Sequence, residues 1–361
     1  MTDLLYSDVE NDLRASVRDL LAQRSPVRRV LAQLESGEPY DQGLWHTLAS
    51  EMGMAGMAVP ERFGGGGASL REAAVVMEEL GRGVAPVPFL SSAVVATTTL
   101  LACAAADPVT KLAAGESVAV LSVPFAAGPG SALPSVSAVD GRLTGTVTGV
   151  ADGLAATLLV VPAGDGLYLV DATAEGVVRT PVVSLDLTRP LADIRFDGAA
   201  GERAADGATG AAAVSAGLTA GAALLASEQL GLSEWCLDTT VEYVKARHQF
   251  ARPIGSFQAL KHRMADMWVD LTQARAVARY AAACVAEGDA DLPVATSLAQ
   301  AFCSPVAVKM AEECVQLHGG IGFTWEHPAH LFLKRAKADS IAFGTADRHR
   351  HALASLVDLG L

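Results

Sequence analysis

The segment from Arg247 to Gln258 concentrates residue types that bind nucleotides. It interrupts a long helical pattern rich in alanine and reads RHQFARPIGSFQ. A connection between two helices needs only polar residues and a helix breaker. This one adds Arg247, Arg252, Phe250 and Phe257, and a guanidinium pairs well with phosphate while an aromatic face packs against a base. The segment therefore predicts contact with a nucleotide-like cofactor.

Composition and charge narrow the class of protein. Apolar residues make up 51% of the chain and charged residues 19%, which excludes global disorder. The net charge of −13 argues against nucleic acid or an anionic membrane as a partner of the whole molecule. The first residues lack the basic and then apolar pattern of a signal peptide, and the apolar runs are too short to span a membrane. The five cysteines form no CxxC pair. We therefore expect a cytoplasmic protein without membrane insertion.

Composition also divides the chain into three zones, which together predict a multidomain α+β protein. Residues 1–115 carry helical patterns and predict an N-terminal helical domain. Residues 116–205 contain short runs rich in Val, Leu and Thr, typical of antiparallel strands in a small barrel or sandwich, and residues 198–210 resemble a linker. Residues 206–361 are helical again and predict an up-down four-helix bundle, whose last helix covers roughly 328–358.

A glycine-rich loop runs from Val59 to Gly67. It lacks the spacing and the Lys-Ser/Thr pair of a phosphate-binding P-loop. We therefore expect a flexible connection between helices there rather than a phosphate site.

Five motifs in order along the chain resemble those of the acyl-CoA dehydrogenase family. The strongest match is Arg247-x-x-Phe250 followed by Pro253-Ile-Gly and Phe257-Gln258, and the second is QLHGGIG at 316–322. The others are LW with VPE and FGG within 44–65, EELGR at 78–82 and AFGT at 342–345. The resemblance spans nearly the whole chain. It implies that family's fold, with a helical domain, a β domain and a four-helix bundle, and also FAD, an acyl-CoA substrate and α,β-dehydrogenation.

In this family two subunits build each FAD site, and the resemblance assigns one half of such a site to this chain. Considered without the motif, Arg247 is better explained by a surface salt bridge, and the Gly319-Gly320 pair by a plain helix C-cap. Considered with it, seven residues are implied to bind the cofactor: Arg247 at the pyrophosphate, Phe250 and Phe257 toward the adenosine end, Gln258 at the ribose or phosphates, and Gln316, Gly319 and Gly320 at the adenine side.

The catalytic half is missing from the sequence. The reaction needs a carboxylate base, yet Phe343 occupies the Glu position of the family's Glu-Gly-Thr motif, and the base position of other members falls at about Gly221. Glu228 lies seven residues further, roughly 10 Å along a helix axis, and we expect a packing or ion-pair role for it. Asp347 is a remote candidate for a relocated base.

The residues that hold the flavin ring in the family are also replaced. Residues 122–131 lack the Thr-Glu of the family's flavin loop, and Gly149 stands near the position of an aromatic residue that packs against the ring. A glycine cannot cover a flavin face. We therefore expect no catalytic residue in this chain.

Three hypotheses follow. The first is a non-catalytic subunit of a heteromeric, α2β2-type acyl-CoA dehydrogenase, as in actinobacterial sterol side-chain breakdown. Its FAD would be shared across a subunit interface with a partner that carries the catalytic Glu, and its electron acceptor would be an electron-transfer flavoprotein. The second is a self-sufficient homomeric enzyme with a relocated base. The third is a scaffold of the same fold without redox chemistry.

Overall fold

The computed structural model describes residues 4–133, 136–164 and 166–359. Its first part is helical, and two of its helices begin at capping boxes in which Ser7 pairs with Glu10 and Ser69 with Glu72. π-helical turns cover Thr47–Glu51 and Phe89–Ala96. The α-helices here are α1 (Asp8–Arg24), α2 (Val27–Glu35), α3 (Gln42–His46), α4 (Leu70–Gly83), α5 (Thr97–Ala102) and α6 (Ala106–Ala113).

The glycine-rich loop at 59–67 is tightly packed, so the expectation of a flexible connection is wrong. Gly66 N–H donates to the Gly56 carbonyl and Gly67 N–H to the Val59 carbonyl, both at 2.9 Å. A Cβ built on Gly65 would overlap the carbonyl of Val59. Glycine serves here to let two backbone segments approach closely.

The middle part forms two four-stranded sheets with the orders β1-β4-β5-β8 and β2-β3-β7-β6. Most pairs are antiparallel as predicted, but β1 pairs with β4 in parallel. The predicted linker at 198–210 is wrong, because it contains the end of β7, all of β8 and the start of a helix. The strands are β1 (Ala119–Leu121), β2 (Ser137–Val139), β3 (Arg142–Ala151), β4 (Leu158–Ala163), β5 (Gly166–Asp171), β6 (Val177–Val182), β7 (Leu191–Ala200) and β8 (Glu202–Asp206).

The last part is the helical bundle. A short hairpin of β9 (His248–Gln249) and β10 (Arg252–Pro253) follows its first helix. The predicted single helix at 328–358 is two helices, because the chain turns between Asp339 and Ala346 with Phe343 at φ 53°. The helices are α7 (Gly207–Ala246), α8 (Gln258–Glu287), α9 (Leu292–His318), α10 (Ala329–Asp339) and α11 (Ala346–Leu356).

Helix α7 lies at the centre of the molecule and contacts α4, α8 and α9. It is long and apolar enough to cross a membrane by length and composition, but 61% of its most apolar window is buried inside the fold. It crosses α4 at glycines, since a Cβ on Gly81 would overlap the Glu228 carbonyl and a Cβ on Gly231 the Glu78 carbonyl. One hydrophobic core continues from the N-terminal helices through the sheets into the bundle.

Candidate functional site

The hairpin after α7 presents the residues of the first motif. Gln249 pairs with Arg252, so the turn between the two strands consists of Phe250 and Ala251. Both have positive φ, 53° and 60°, as a two-residue hairpin turn requires. Neither is glycine, so the turn stores strain of about 1–2 kcal/mol per residue. The hairpin is closed at its base because Ile254 N–H donates to the Arg247 carbonyl at 2.8 Å.

The side chains of this hairpin point away from the core. Phe250 is 86% exposed and meets Phe257 edge-on, with ring centroids 6.0 Å apart. The Arg252 guanidinium lies 3.9 Å from the centroid of the Phe257 ring. The Arg247 side chain is exposed and forms no hydrogen bond or ion pair with any residue in the described ranges. The surface salt bridge considered for Arg247 is therefore not formed with any of the described residues.

The second motif lies at the C-terminus of α9. Gly319 caps the helix with φ 63° and ψ −141°, a conformation that favours glycine. Gly320 differs, because a Cβ built there would meet no atom within 4 Å and its φ lies outside the left-handed region. Nothing in the described chain requires glycine at that position, which leaves room for an external group close to the backbone. Gln316, three residues before Gly319 on α9, is exposed.

A ring contact brings the two motifs together. Tyr243, four residues before Arg247, lies with its ring centroid 4.4 Å from that of His318, the residue before Gly319. Arg247 and Gln258, at the two ends of the hairpin, and Gln316 therefore belong to one end of the bundle. The structure thus places the seven predicted cofactor-binding residues on two neighbouring segments.

The charge of this region is opposite to that of the chain. Residues 245–263 contain five Lys or Arg and no Asp or Glu, although the chain has a net charge of −13. Lys245 and Arg263 are paired with Glu242 and Glu313. Arg247 remains exposed in the same segment as Phe250, Phe257 and Gln258. This donor set fits a pyrophosphate joined to an adenosine.

The two expected positions of a catalytic base face each other and hold no carboxylate. Phe343 is buried, and a Cβ built on Gly221 would lie 2.7 Å from the Cζ atom of its ring. The ring therefore fills the space beside α7 that a side chain at position 221 would need. Neither Phe343 nor Gly221 carries a carboxylate, and the Phe343 side chain packs against α7 where a base would lie.

The loop after β1 closes the rest of the cavity. Phe343 N–H donates to the Phe125 carbonyl at 3.0 Å, and Phe125 N–H donates to the Gly149 carbonyl at 2.9 Å. A Cβ on Gly128 would overlap the Phe343 carbonyl, and the rings of Phe125 and Phe343 meet edge-to-face at 6.2 Å. The cavity that remains measures about 30 Å³. Ligand pockets measure roughly 300–1,000 Å³, so neither a flavin ring nor an acyl chain fits here.

Glu228 is part of a buried ion cluster and is not free to act as a base. Its carboxylate oxygens accept from Arg189 at 2.5 Å and from Arg335 at 2.6 Å. Burial alone would raise the pKa of Glu228, but the two guanidiniums hold it below its usual value. Asp186 and Asp339 complete the cluster, which joins the β domain to α7 and α10.

Asp347 does not belong to the buried ion cluster around Glu228. Its side chain is exposed and pairs with Arg350 at 2.6 Å. It is not among the residues that line the cavity beside Phe343. The geometry therefore gives no support to a base relocated to Glu228 or Asp347.

Sequence reasoning missed two features of this site. Phe125 fills the cavity together with Phe343, and the only available signal was its place in the altered flavin loop. Asp152 accepts a hydrogen bond from Ser91 at the cavity wall, and burial raises its pKa. No motif or spacing marks that pair.

Comparison with known proteins agrees with the arrangement of domains. A sequence profile described as "Acyl-CoA dehydrogenase, N-terminal domain" matches residues 7–109, and "Acyl-CoA dehydrogenase, C-terminal domain" matches 208–357. Acyl-CoA dehydrogenase IpdE2 of Mycolicibacterium smegmatis is 36% identical over 336 residues, which cover 92% of this chain and 93% of that protein. Acyl-CoA dehydrogenase FadE34 of Mycobacterium tuberculosis is 34% identical over 320 residues, 86% of this chain but 41% of its own length.

A solved structure extends the likeness to the whole fold. The ChsE4-ChsE5 complex from Mycobacterium tuberculosis contains a chain that superposes with a TM-score of 0.88 at 27% sequence identity, covering 100% of both chains. The fold therefore matches throughout, including the middle β domain.

Proposed function

This chain belongs to the acyl-CoA dehydrogenase family, and we propose that it is the non-catalytic subunit of a heteromeric member. In this proposal it contributes contacts to the adenosine and pyrophosphate of FAD in a site that a partner subunit completes. FAD, when bound, accepts the hydride that leaves the β-carbon of an acyl-CoA. The partner subunit supplies the catalytic carboxylate and the face that carries the flavin ring.

The contrast between two regions of the chain carries this proposal. At one end of the bundle, Arg247 and Gln258 are exposed and Arg247 has no partner among the described residues. Beside α7, the space around both expected base positions is filled by Phe125 and Phe343. A protein that had lost its role with FAD altogether would have no use for a strained turn that holds Phe250 in solvent. Strain of this kind persists where function requires it.

An exposed aromatic patch supports a partner chain. It lies along the two motif segments and the outer face of α8, and its large apolar side chains are Phe250, Trp268, Val269, Ile321, Phe323 and Trp325. Large exposed apolar side chains often mark a surface that contacts another protein. Its nearness to Arg247 favours a partner that also holds the cofactor.

The relatives suggest the class of that partner. The chain that this one resembles in structure was solved as part of a ChsE4-ChsE5 complex. The match to FadE34 covers 41% of that protein, so more than half of it has no counterpart in this chain. The first observation supports a second chain of the same family as partner, with an acyl-CoA as substrate. An electron-transfer flavoprotein as acceptor and a cytoplasmic location belong to the same proposal.

Flavin content tests the proposal. The tagged chain is purified alone and, with its partner, from its own host cells, and FAD is measured per chain. We expect little FAD and no dehydrogenase activity from the chain alone, and FAD with activity from the complex. Arg247→Ala should weaken FAD binding by the complex about 10- to 100-fold, the effect of one hydrogen bond to a charged group. Arg28→Ala, an exposed arginine on α2, is the matched control and should change nothing.

Two results would count against the proposal. Stoichiometric FAD with activity in the chain alone would place a complete site here. Unchanged FAD affinity in the Arg247→Ala complex would favour a scaffold without a cofactor role.

A further inference from the structure

We propose that His318 is a positioning residue that sets the spacing between the two cofactor-binding segments through ring stacking. The inference rests on the proposed function, since those segments must first bind the adenosine end of FAD. It concerns a residue whose side chain points into the fold and does not reach the cofactor.

His318 lies between two other rings. Its ring centroid is 4.4 Å from that of Tyr243, at an interplanar angle of 31°, and 4.1 Å from that of His327, at 37°. Trp235 lies 6.3 Å beyond His327 and stacks on Phe332 at 3.6 Å and 3°. We call these five residues the aromatic stack. It connects α7, α9, the loop after α9 and α10.

The position of His318 gives it control over both segments. It is the last residue of α9, so its backbone leads directly into Gly319. Its neighbour Tyr243 accepts a hydrogen bond from Arg247 N–H at 2.8 Å, which fixes the start of the hairpin. A shift of the His318 ring therefore moves the glycine turn relative to Arg247. FAD that contacts both segments would sense that shift.

The His318 ring makes two stacking contacts, whereas its polar contacts with described residues are confined to Cys314, with the Sγ atom of that residue 3.7 Å from Nδ1. His318 is 2% exposed, and its Nε2 atom has no hydrogen-bond partner in the described ranges. Its Nδ1 atom donates to the Cys314 carbonyl at 2.7 Å. That carbonyl is also the ordinary acceptor for the His318 backbone N–H within the helix. A phenyl ring at position 318 would therefore preserve the stack and leave no orphaned backbone group.

Binding of FAD and FMN to the purified complex tests this role. FMN lacks the adenosine half, so it reports the flavin end of the site alone. His318→Ala and His318→Leu remove the ring, and Leu keeps most of its bulk in case Ala fails to assemble. Because each ring contact is worth about two- to tenfold in an equilibrium constant, we expect about a tenfold rise in the Kd for FAD. The Kd for FMN should stay unchanged, and His318→Phe should bind FAD within about twofold of the native complex.

Two controls separate the possible causes. Leu100→Ala creates a cavity in α5, away from the aromatic stack, and should lower stability without changing the ratio of FAD to FMN affinity. Arg247→Ala tests the proposed function itself. If it lowers FAD affinity while His318→Leu does not, the positioning role of His318 is overturned and the proposed function stands. If His318→Leu weakens FAD and FMN equally, the residue is merely structural. If Arg247→Ala has no effect, both proposals fall.

Discussion

Replacing Phe343 by alanine should destabilise the chain by about 4 kcal/mol without creating a flavin site. The ring is buried against Phe125 and Gly221, and its removal empties on the order of 100 Å³. At about 24 cal/mol per Å³ the cavity costs about 2.4 kcal/mol, and the lost burial of the ring adds roughly 2 kcal/mol. Together with the existing 30 Å³, the new space is at most benzene-sized, about 150 Å³, and well below the roughly 300 Å³ of small ligand pockets.

Urea unfolding of the purified chain measures this loss. Benzene should restore part of the stability of Phe343→Ala, because it fills a dry apolar cavity. Phe63→Ala, at a half-buried ring in the glycine-rich loop, is the control and should cost much less. Neither variant should bind FAD. Phe343→Glu, which restores the family's residue, should also show no dehydrogenase activity, because Phe125 still closes the cavity.

A double-mutant cycle with Gly221 gives the sharpest refutation. A Cβ at position 221 would lie 2.7 Å from both the Phe343 ring and the Val95 side chain, so Gly221→Ala should cost about 1–3 kcal/mol. In the Phe343→Ala background that cost should fall by at least about 1 kcal/mol, because one of the two obstacles is gone. Additivity within about 0.5 kcal/mol would show that the ring does not occupy this space. Flavin-dependent activity in Phe343→Glu alone would refute the closed cavity.

Three further predictions concern the turn and the ion cluster. Ala251→Gly should raise the free energy of unfolding by about 1 kcal/mol in urea titrations, since glycine adopts φ 60° without strain; a loss of stability would contradict the strained turn. Glu228→Gln should lower it by about 3–5 kcal/mol because it leaves Arg189 and Arg335 poorly paired, whereas a catalytic base would lose turnover with little change in stability. Burial and the neighbouring Glu228 raise the pKa of Asp339, although the charges of Arg189 and Arg335 oppose the shift. The protonated form therefore stabilises the fold at low pH, and this stabilisation is lost as pH rises through the folded-state pKa. Asp339→Asn should therefore flatten the decline in unfolding free energy with rising pH, and an unchanged pH profile would contradict a raised pKa of Asp339.

The sequence predicted features that depend on local pattern. The helical pattern of residues 1–115 corresponds to α1–α6, the glycine after His318 ends α9, and the Pro-Ile-Gly segment separates α7 from α8. Helical periodicity and glycine conformation are local properties, so they can be recognised without the fold. The family resemblance then supplied the order of domains.

The features that were missed depend on contacts between distant segments. Residues 198–210 are rich in glycine and alanine, yet β8 forms there because Glu202–Asp206 pairs with β5. The helix at 328–358 breaks because the 343–344 backbone docks on the loop after β1. Glu228 was expected to have a packing or ion-pair role, but its two arginine partners lie 39 and 107 residues away. None of these partners can be found from sequence spacing.

The packing around Phe343 depends on several residues and not on a single substitution. Phe343 requires a glycine at position 221, its carbonyl requires a glycine at position 128, and its N–H holds the Phe125 loop in place. A carboxylate at position 343 would therefore leave the backbone bond to Phe125 and the close approach of Gly128 in place. The exposed hairpin shares none of these contacts, since Arg247 and Phe250 face solvent at the far end of α7. The exposed hairpin and the packing around Phe343 can therefore be altered by mutation independently of each other.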